Sequence, residues 1–535
     1  MPPFGRRKFV IATVDLLLLL LGTVVADSDR AAYKVFRVVP ETADQLAFLA
    51  RIYETASDYD LVFWKGPRAT GAICDIMVPP GYQQEFASLL DEKGINHTVT
   101  IQDVQKLIEE KENVAKRPNF SPILRDDRSS TATRPRYDFR KYQSYFNMRN
   151  YMKHLVRTHP NYAKLINLGT THEGRPIEGV QISSPISDES KRILWIDGGI
   201  HAREWAASTV ALYFIHSLIT KYDRDPEVKH FVDKITFVIV PQINPDGYEF
   251  SRSGKHPNVR LWRKNMSPKQ CVRNRFGRRK CCRGVDLNRN FDFHWGESGS
   301  SLNPCDEIYQ GNSSFSEPEA RAVRDFVQPR RNRIDGFITL HTYAQIWAHA
   351  FGHQRREYPS DVTDLRRVGL QATGELEKQF GTKYKVGSGA DTLYPAAGGS
   401  DDWAKDIMGI KYVYLVELRP DESEWEGFIL DESELIPTAE ETFEAVKVVA
   451  NEILRRNGIP TYAQAAATAQ QPAKTVTSAS SSGRTRFTGR QAGQPCEDRR
   501  GRSNACERWL RNNPNLCRTI PHFMAEQCAK SCNVC

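Results

Sequence analysis

The stretch 193-ILWIDGGI-200 runs straight into 201-HAREW-205. The apolar run reads as a buried strand, and His201 and Glu204 fall just past its end. In open α/β sheets, sites gather beyond the carboxyl ends of strands. Three further apolar runs end in the same way. ITFVIVPQINPDG (235–247) carries Asn244 and Asp246, IDGFITLHTY (334–343) carries His341, and IKYVYLVELR (410–419) carries Glu417. Helical stretches such as AASTVALYFIHSLITKY (206–222) alternate with them. Residues 137–457 are therefore expected to form an α/β unit with helices on both faces of a sheet.

At 535 residues the chain is too long for one ordinary domain. A net charge of +9 is mild for this length, and no long basic stripe points to nucleic acid. The densest basic segment, 273-RNRFGRRKCCR-283, reads first as a solvated loop and second as a surface for an acidic matrix or polysaccharide. Residues 1–26 have a basic start, an apolar core with six consecutive leucines, and small residues at Val24 and Ala26. They read as a signal peptide, so a secreted, extracellular chain starting at Asp27 is expected. The rival reading is a membrane anchor, and Asp15 within the apolar core argues against it. No other stretch is long and apolar enough for a stable membrane span.

Eleven cysteines in an exported chain should mostly pair. Cys271, Cys281, Cys282 and Cys305 group in the middle, six more crowd the last forty residues, and Cys74 stands apart. Two central bridges, three terminal bridges and one leftover thiol are expected. Asn96, Asn119, Asn265 and Asn312 lie in glycosylation sequons, with Asn265 the weakest because Pro268 follows its serine.

Residues 27–115 read as a small α+β unit without a catalytic cluster. The polar, arginine-studded segment 116–136 reads as a connector open to a trypsin-like or dibasic protease. Leader, site-free unit and cleavable connector together suggest a zymogen; an ordinary interdomain linker is the bland alternative. Residues 458–495, rich in Ala, Thr, Ser and Gln, read as a flexible linker. Residues 496–535 are too few for a self-sufficient core, so disulfides must hold them.

His-X-X-Glu alone is weak evidence of a metal. With His341 from another strand end, it makes two imidazoles and one carboxylate, the donor set of a hydrolytic zinc site with an open fourth position. These residues sit within a series of motifs: 201-HAREW-205, 241-PQINPDGYE-249, 261-LWRKN-265, 284-GVDLNRNF-291, 341-HTY-343, 391-DTLYPAAGGSDDW-403 and 415-LVELR-419. In this the chain resembles the zinc metallocarboxypeptidases of the pancreatic A/B type over residues 137–457, with a preceding segment like their activation prodomain.

The resemblance implies a mixed eight-stranded sheet flanked by helices, a ferredoxin-like prodomain, and one Zn2+ per catalytic domain. It implies that His201, Glu204 and His341 hold zinc and that Asp286 orients His201. It implies Glu417 as general base and Arg263 as the group that steadies the oxyanion. Asn288 and Arg289 would grip the terminal carboxylate of a peptide or protein C-terminus. Arg203 would line the neighbouring subsite, Tyr394 would close over the peptide end, and Tyr343 and Phe428 would shape the cleft.

By the same resemblance Asp401 sits at the bottom of the pocket for the terminal side chain, with Gly389 leaving the wall open. An acid there favours terminal Lys and Arg, the B-like preference. The bland alternative is that Asp401 caps the following helix. Cys282–Cys305 resembles a family bridge, whereas Cys271–Cys281 is inferred from proximity within an unusually long, basic loop. The tail resembles the ShK-type module, which implies Cys496–Cys535, Cys506–Cys528 and Cys517–Cys532. The lysine–tyrosine pair of channel-blocking members is replaced by His522 and Phe523. A docking or matrix-localising role is therefore expected. Two functions compete at this point: a secreted zymogen of a Lys/Arg-preferring carboxypeptidase, and a catalytically inactive extracellular matrix-binding protein built from the same modules.

Overall fold

The computed structural model describes residues 32–112, 137–254, 256–273 and 277–469, together with Cys506, Leu510, Arg511 and Cys517. The signal-peptide, connector and most tail assignments lie outside the described residues. The N-terminal unit has strands β1 (Lys34–Val38), β2 (Val62–Lys65), β3 (Cys74–Val78) and β4 (His97–Ile101), in the order β2-β3-β1-β4. Helices Ala43–Glu54 and Gln83–Glu92 give it the ferredoxin-like βαββαβ arrangement. Thr42 accepts from the N–H of Gln45, whose side chain accepts from the Thr42 N–H, which closes a capping box at the first helix.

The large unit continues with β5 (Ala163–Thr170), β6 (Pro176–Ile182), β7 (Ile193–Gly198), β8 (Thr236–Val240), β9 (Gln270–Arg273), β10 (Arg279–Cys282), β11 (Ile334–Ala344), β12 (Ile346–His349), β13 (Lys385–Ser388) and β14 (Tyr412–Asp421). Eight of these form one sheet, ordered β13-β12-β14-β11-β7-β8-β6-β5. The four apolar runs read from sequence are its four adjacent central strands, β14, β11, β7 and β8, all parallel. Both faces of β7 are covered, with alternate residues facing opposite ways. Leu194 and Ile196 pack in the larger core with helices Trp205–Thr220 and Leu435–Arg456. Ile193 and Trp195 pack in the second core with helices Pro318–Val327 and Ser400–Asp406. The sheet is therefore mixed, eight-stranded and flanked by helices, as the resemblance implied.

Two expectations need correction. The linker does not begin at residue 458, because Tyr462–Ala469 is a helix. Its alanines favour helix, Thr461 and Gln464 hydrogen-bond reciprocally at its start, and His230 packs on Tyr462. Asn265 is no glycan acceptor: it is fully buried, and its amide donates to Glu317 at 2.8 Å and Glu319 at 2.9 Å. Asn96 and Asn312 are exposed. Cys271–Cys281 and Cys282–Cys305 are bonded, the first clamping the β9–β10 hairpin. Cys74 is a buried free thiol, pushed up to about 12 by burial. Cys506 and Cys517 are disulfide-bonded, but their partners, and Cys496, Cys528, Cys532 and Cys535, lie outside the described residues.

The N-terminal unit is locked to the large one by Arg260 and Glu112, each 1% exposed. Arg260 Nε donates to both Glu112 oxygens, at 2.8 and 2.9 Å, and Nη2 to Oε1 at 2.6 Å. The remaining donors hold the carbonyls of Arg203 and Phe428. Truncating Glu112 strands a buried guanidinium, which costs about 3–5 kcal/mol. Glu112→Ala should therefore lower the urea midpoint for release of the N-terminal unit. A midpoint equal to wild type would show the pair to be neutral.

Candidate metal centre and substrate cleft

β7 ends in a tight turn at Gly199, whose φ of 68° suits glycine. A Cβ there would collide with the side chains of Gln242 and Ser208. The turn sets His201 and Glu204 at the N-terminus of helix Trp205–Thr220, facing His341 from the neighbouring strand β11. His201 Nδ1 lies 2.7 Å from Glu204 Oε1, and His341 Nδ1 lies 3.0 Å from Glu204 Oε2 and 3.2 Å from His201 Nδ1. The far nitrogens face outward: His201 Nε2 to Asp286 Oδ1 at 3.2 Å, and His341 Nε2 to Thr339 Oγ1 at 3.3 Å. With those Nε2 atoms protonated, the two inward Nδ1 atoms and a carboxylate converge on one point, where the cation is either a proton on His341 or a metal ion that displaces it. That arrangement calls for a cation, and the donor set fits zinc.

Electrostatics agree. Burial and the Arg263 charge hold His201 below the ordinary histidine value. Burial alone would lower His341 too, but the Glu204 carboxylate outweighs it and lifts the group to about 9. Against its own burial, Glu204 is held low by the two histidines, and Asp286 is held low by Arg263.

Glu417 is paired with His341 across the parallel β11–β14 register. Burial, opposed by His341 and reinforced by Glu204, raises it to about 8. Its Oε2 is buried without a hydrogen-bond partner. Arg263 Nε donates to Asp286 Oδ2 at 2.8 Å, leaving its guanidinium beside the cluster, 3.9 Å from Glu204. Arg289 is fixed by the carbonyls of Gly299 and Asn288, both at 2.7 Å, while its buried Nη2 has no partner. Asn288 Oδ1 accepts from the Ser400 N–H. These groups line one cavity of about 310 Å³. Arg203, stacked 4.1 Å over Phe428, lines it as well, with Tyr343, Tyr394 and Asp401. Asp286 stands behind the wall.

Asp401 is buried beside Asp402 and is raised to about 7, by burial first and by that neighbour second. Asp402 accepts from the N–H groups of Gly352 and His353. Gly389 lines the cavity against Gly352, where a Cβ would approach the Gly352 Cα to 3.1 Å. Asp401 is the second residue of helix Ser400–Asp406, whose N-cap Gly399 offers no side-chain hydrogen bond, and its carboxyl also draws on the N–H groups of Asp401 and Asp402 in that first turn.

Sequence reasoning missed what the N-terminal unit contributes. Trp64, Lys65 and Arg68 line the same cavity, and Trp64 meets Phe428 edge-on at 6.1 Å. It also missed Glu307, 3.2 Å from Arg203. The apolar run 61-LVFW-64, followed by 65-KGPR-68, was the available signal, but a strand ending in cations does not name its partner.

A parallel central sheet with a two-histidine, one-carboxylate cluster at its strand ends defines a single-metal hydrolase. The zinc carboxypeptidase model matches residues 148–445, the carboxypeptidase activation peptide residues 36–111, and an ShK domain-like model residues 495–535. The chain belongs to the zinc carboxypeptidase family and is a metallocarboxypeptidase with an activation peptide. Zinc carboxypeptidase A 1 of Anopheles gambiae is 32% identical over 77% of this chain and 88% of its own length. Carboxypeptidase B of Astacus astacus is 38% identical over 59% of this chain and 97% of its own. Among solved structures, thrombin activatable fibrinolysis inhibitor superposes with a TM-score of 0.66 at 29% identity, covering 79% of this chain and 99% of that one. Carboxypeptidase A from Helicoverpa armigera gives 0.67 at 27% identity, covering 79% and 98%.

Zinc, when bound, supplies Lewis acidity toward a carbonyl oxygen and a water. Dialysis against a chelator should abolish hydrolysis and zinc should restore it. Because a ligand at about 1,000 times its Kd adds about 4 kcal/mol, the metal-free protein should also melt earlier by calorimetry. An unchanged melting curve with retained activity would rule out zinc in the His201–Glu204–His341 cluster.

Proposed function

We propose that this chain is a secreted zymogen whose activated form removes C-terminal Lys and Arg. The observation that carries the preference is the buried Asp401 carboxylate in the wall of the cavity that holds the metal cluster. A cationic side chain is the partner that such a carboxylate lacks. Relatives bear both names, carboxypeptidase A in Mus musculus and Sus scrofa and carboxypeptidase B in Astacus astacus. The preference therefore rests on Asp401 and not on names.

In this reading the unpartnered Nη2 of Arg289, with Asn288, takes the terminal carboxylate of the substrate as a charge-assisted pair. Tyr394 covers the peptide end, Arg203 lines the neighbouring subsite, and Tyr343 and Phe428 shape the cleft. Arg263 steadies the developing oxyanion. Glu417 takes a proton from water at the cluster and delivers it to the leaving amine. Residues 1–26 direct export, the segment 116–136 is cut by a trypsin-like or dibasic protease, and the 496–535 module tethers the enzyme to an extracellular ligand. No helix among the described residues is long and apolar enough to cross a membrane.

The test is to treat the full chain with trypsin and offer peptides that differ only in a terminal Arg, Lys, Phe or Leu. Faster release of Arg and Lys is expected, and preferential release of Phe would overturn the Asp401 argument.

A further inference from the structure

The end of β14 and the chain beyond it read 421-DESEWE-426, four acids in six residues. Glu422 lines the cavity itself. The N-terminal unit covers this segment with four cations. Arg68 Nη2 donates to Glu422 Oε2 at 2.5 Å, and Lys65 Nζ donates to the Glu422 carbonyl. Arg37 donates to the carbonyls of Ser423 at 2.8 Å and Glu424 at 3.2 Å. Lys111 Nζ lies 2.7 Å from Glu426 Oε1. Among the described residues, no basic side chain of the catalytic unit lies within salt-bridge distance of Glu422, Glu424 or Glu426. Trp425, 41% exposed, stands between the last two.

Cleavage and departure of the N-terminal unit remove all four cations at once. The Glu422 carboxylate in the cavity wall, followed along the chain by Glu424, the exposed Trp425 indole and Glu426, is then a combination that receives ammonium and guanidinium groups by ion pairing and cation–π contact. A carboxypeptidase takes in the end of its substrate, so the rest of the peptide must leave through the mouth of the cavity. We propose that in the activated enzyme the 421–426 rim is a subsite for Lys or Arg residues upstream of the scissile bond. The cations of the N-terminal unit occupy in the zymogen the place that such a basic stretch takes in the active enzyme. The proposal rests on the carboxypeptidase reading but not on the Asp401 preference.

Activated enzyme would be given peptides with one fixed C-terminal dipeptide and three preceding residues that are all Lys, all Gln or all Glu. Exposed ion pairs are individually weak. Three together should make kcat/KM about three- to tenfold higher for the Lys series than for the Gln series, chiefly through KM. The Glu series should fall below both. The ratio should shrink toward one near 1 M salt, where the screening length is about 3 Å. The triple variant Glu422→Gln, Glu424→Gln, Glu426→Gln should lose the ratio at low salt, and Trp425→Ala should reduce it. Equal cleavage of the three series by wild type, or a ratio kept by the triple variant, overturns the rim and leaves the peptidase reading intact. No cleavage of any series overturns both.

Discussion

Glu417→Gln should give a folded protein that still binds zinc but hydrolyses C-terminal bonds about 10²- to 10⁴-fold more slowly. The magnitude follows from the role: positioned proton transfer contributes about 10²- to 10⁴-fold, and glutamine can neither take the proton nor return it. The side chain sits within a rigid central strand, register-paired with His341, and its Oε2 has no partner that the substitution would orphan. Burial raises the group to about 8, so near neutral pH the metal-free protein holds it largely uncharged, and the near-isosteric amide should leave stability little changed. Loss of activity without loss of stability is the signature of a group held for chemistry and not for the fold. Metal content by atomic absorption and the melting midpoint separate the outcomes. A variant that loses zinc would make Glu417 a structural support of the cluster, and one that keeps activity would remove it from the reaction. Glu417→Asp, which keeps the acid but withdraws it by one methylene, should recover part of the rate.

The legible part of this fold was the part that physics makes repetitive. Strands buried on both faces must be apolar almost throughout, so ILWIDG and ITLH declared themselves, and they turned out to be neighbours at the sheet centre. The edges did not. KVGS and IWAH, four residues each, are too short for a period to register, and β5 alternates burial only loosely. The zinc-ligand candidates were legible because each lies at the end of a legible strand. Arg289 and Asp401 lie on irregular segments, and only their order among the motifs singled them out. The N-terminal unit's grip on the cleft was invisible for a different reason. Ion pairs such as Arg68–Glu422 join residues 354 positions apart, and no local pattern encodes that distance. The helix at Tyr462–Ala469 was misread because alanine-rich sequence serves equally as tether and as helix, and a single cap tips the balance.

Asp401 offers the second large effect, and its sign can be worked out before measurement. Burial and the neighbouring Asp402 raise its carboxyl to about 7 in the free protein. Below that pH it is neutral and gives a cation nothing to pair with; above it, the charge is present and unneutralised. A terminal Arg or Lys entering the pocket must therefore displace a proton at low pH. The Ki of a competitive inhibitor ending in Arg should improve about tenfold per pH unit up to about 7, then level off. An inhibitor ending in Leu should show the opposite trend, because it leaves an ionised, buried carboxylate without a partner. Asp401→Asn should flatten both profiles. Asp401→Leu should lower kcat/KM for Arg-ended peptides by about 10²- to 10³-fold, the equivalent of a buried cation stripped of its anion at about 3–5 kcal/mol, while raising it for Leu- and Phe-ended ones. The paired peptides make the comparison internal, because general damage to the site would depress both series together. Specificity that does not reverse would assign Asp401 to the support of its helix, and the terminal side chain would then be read by some other part of the wall.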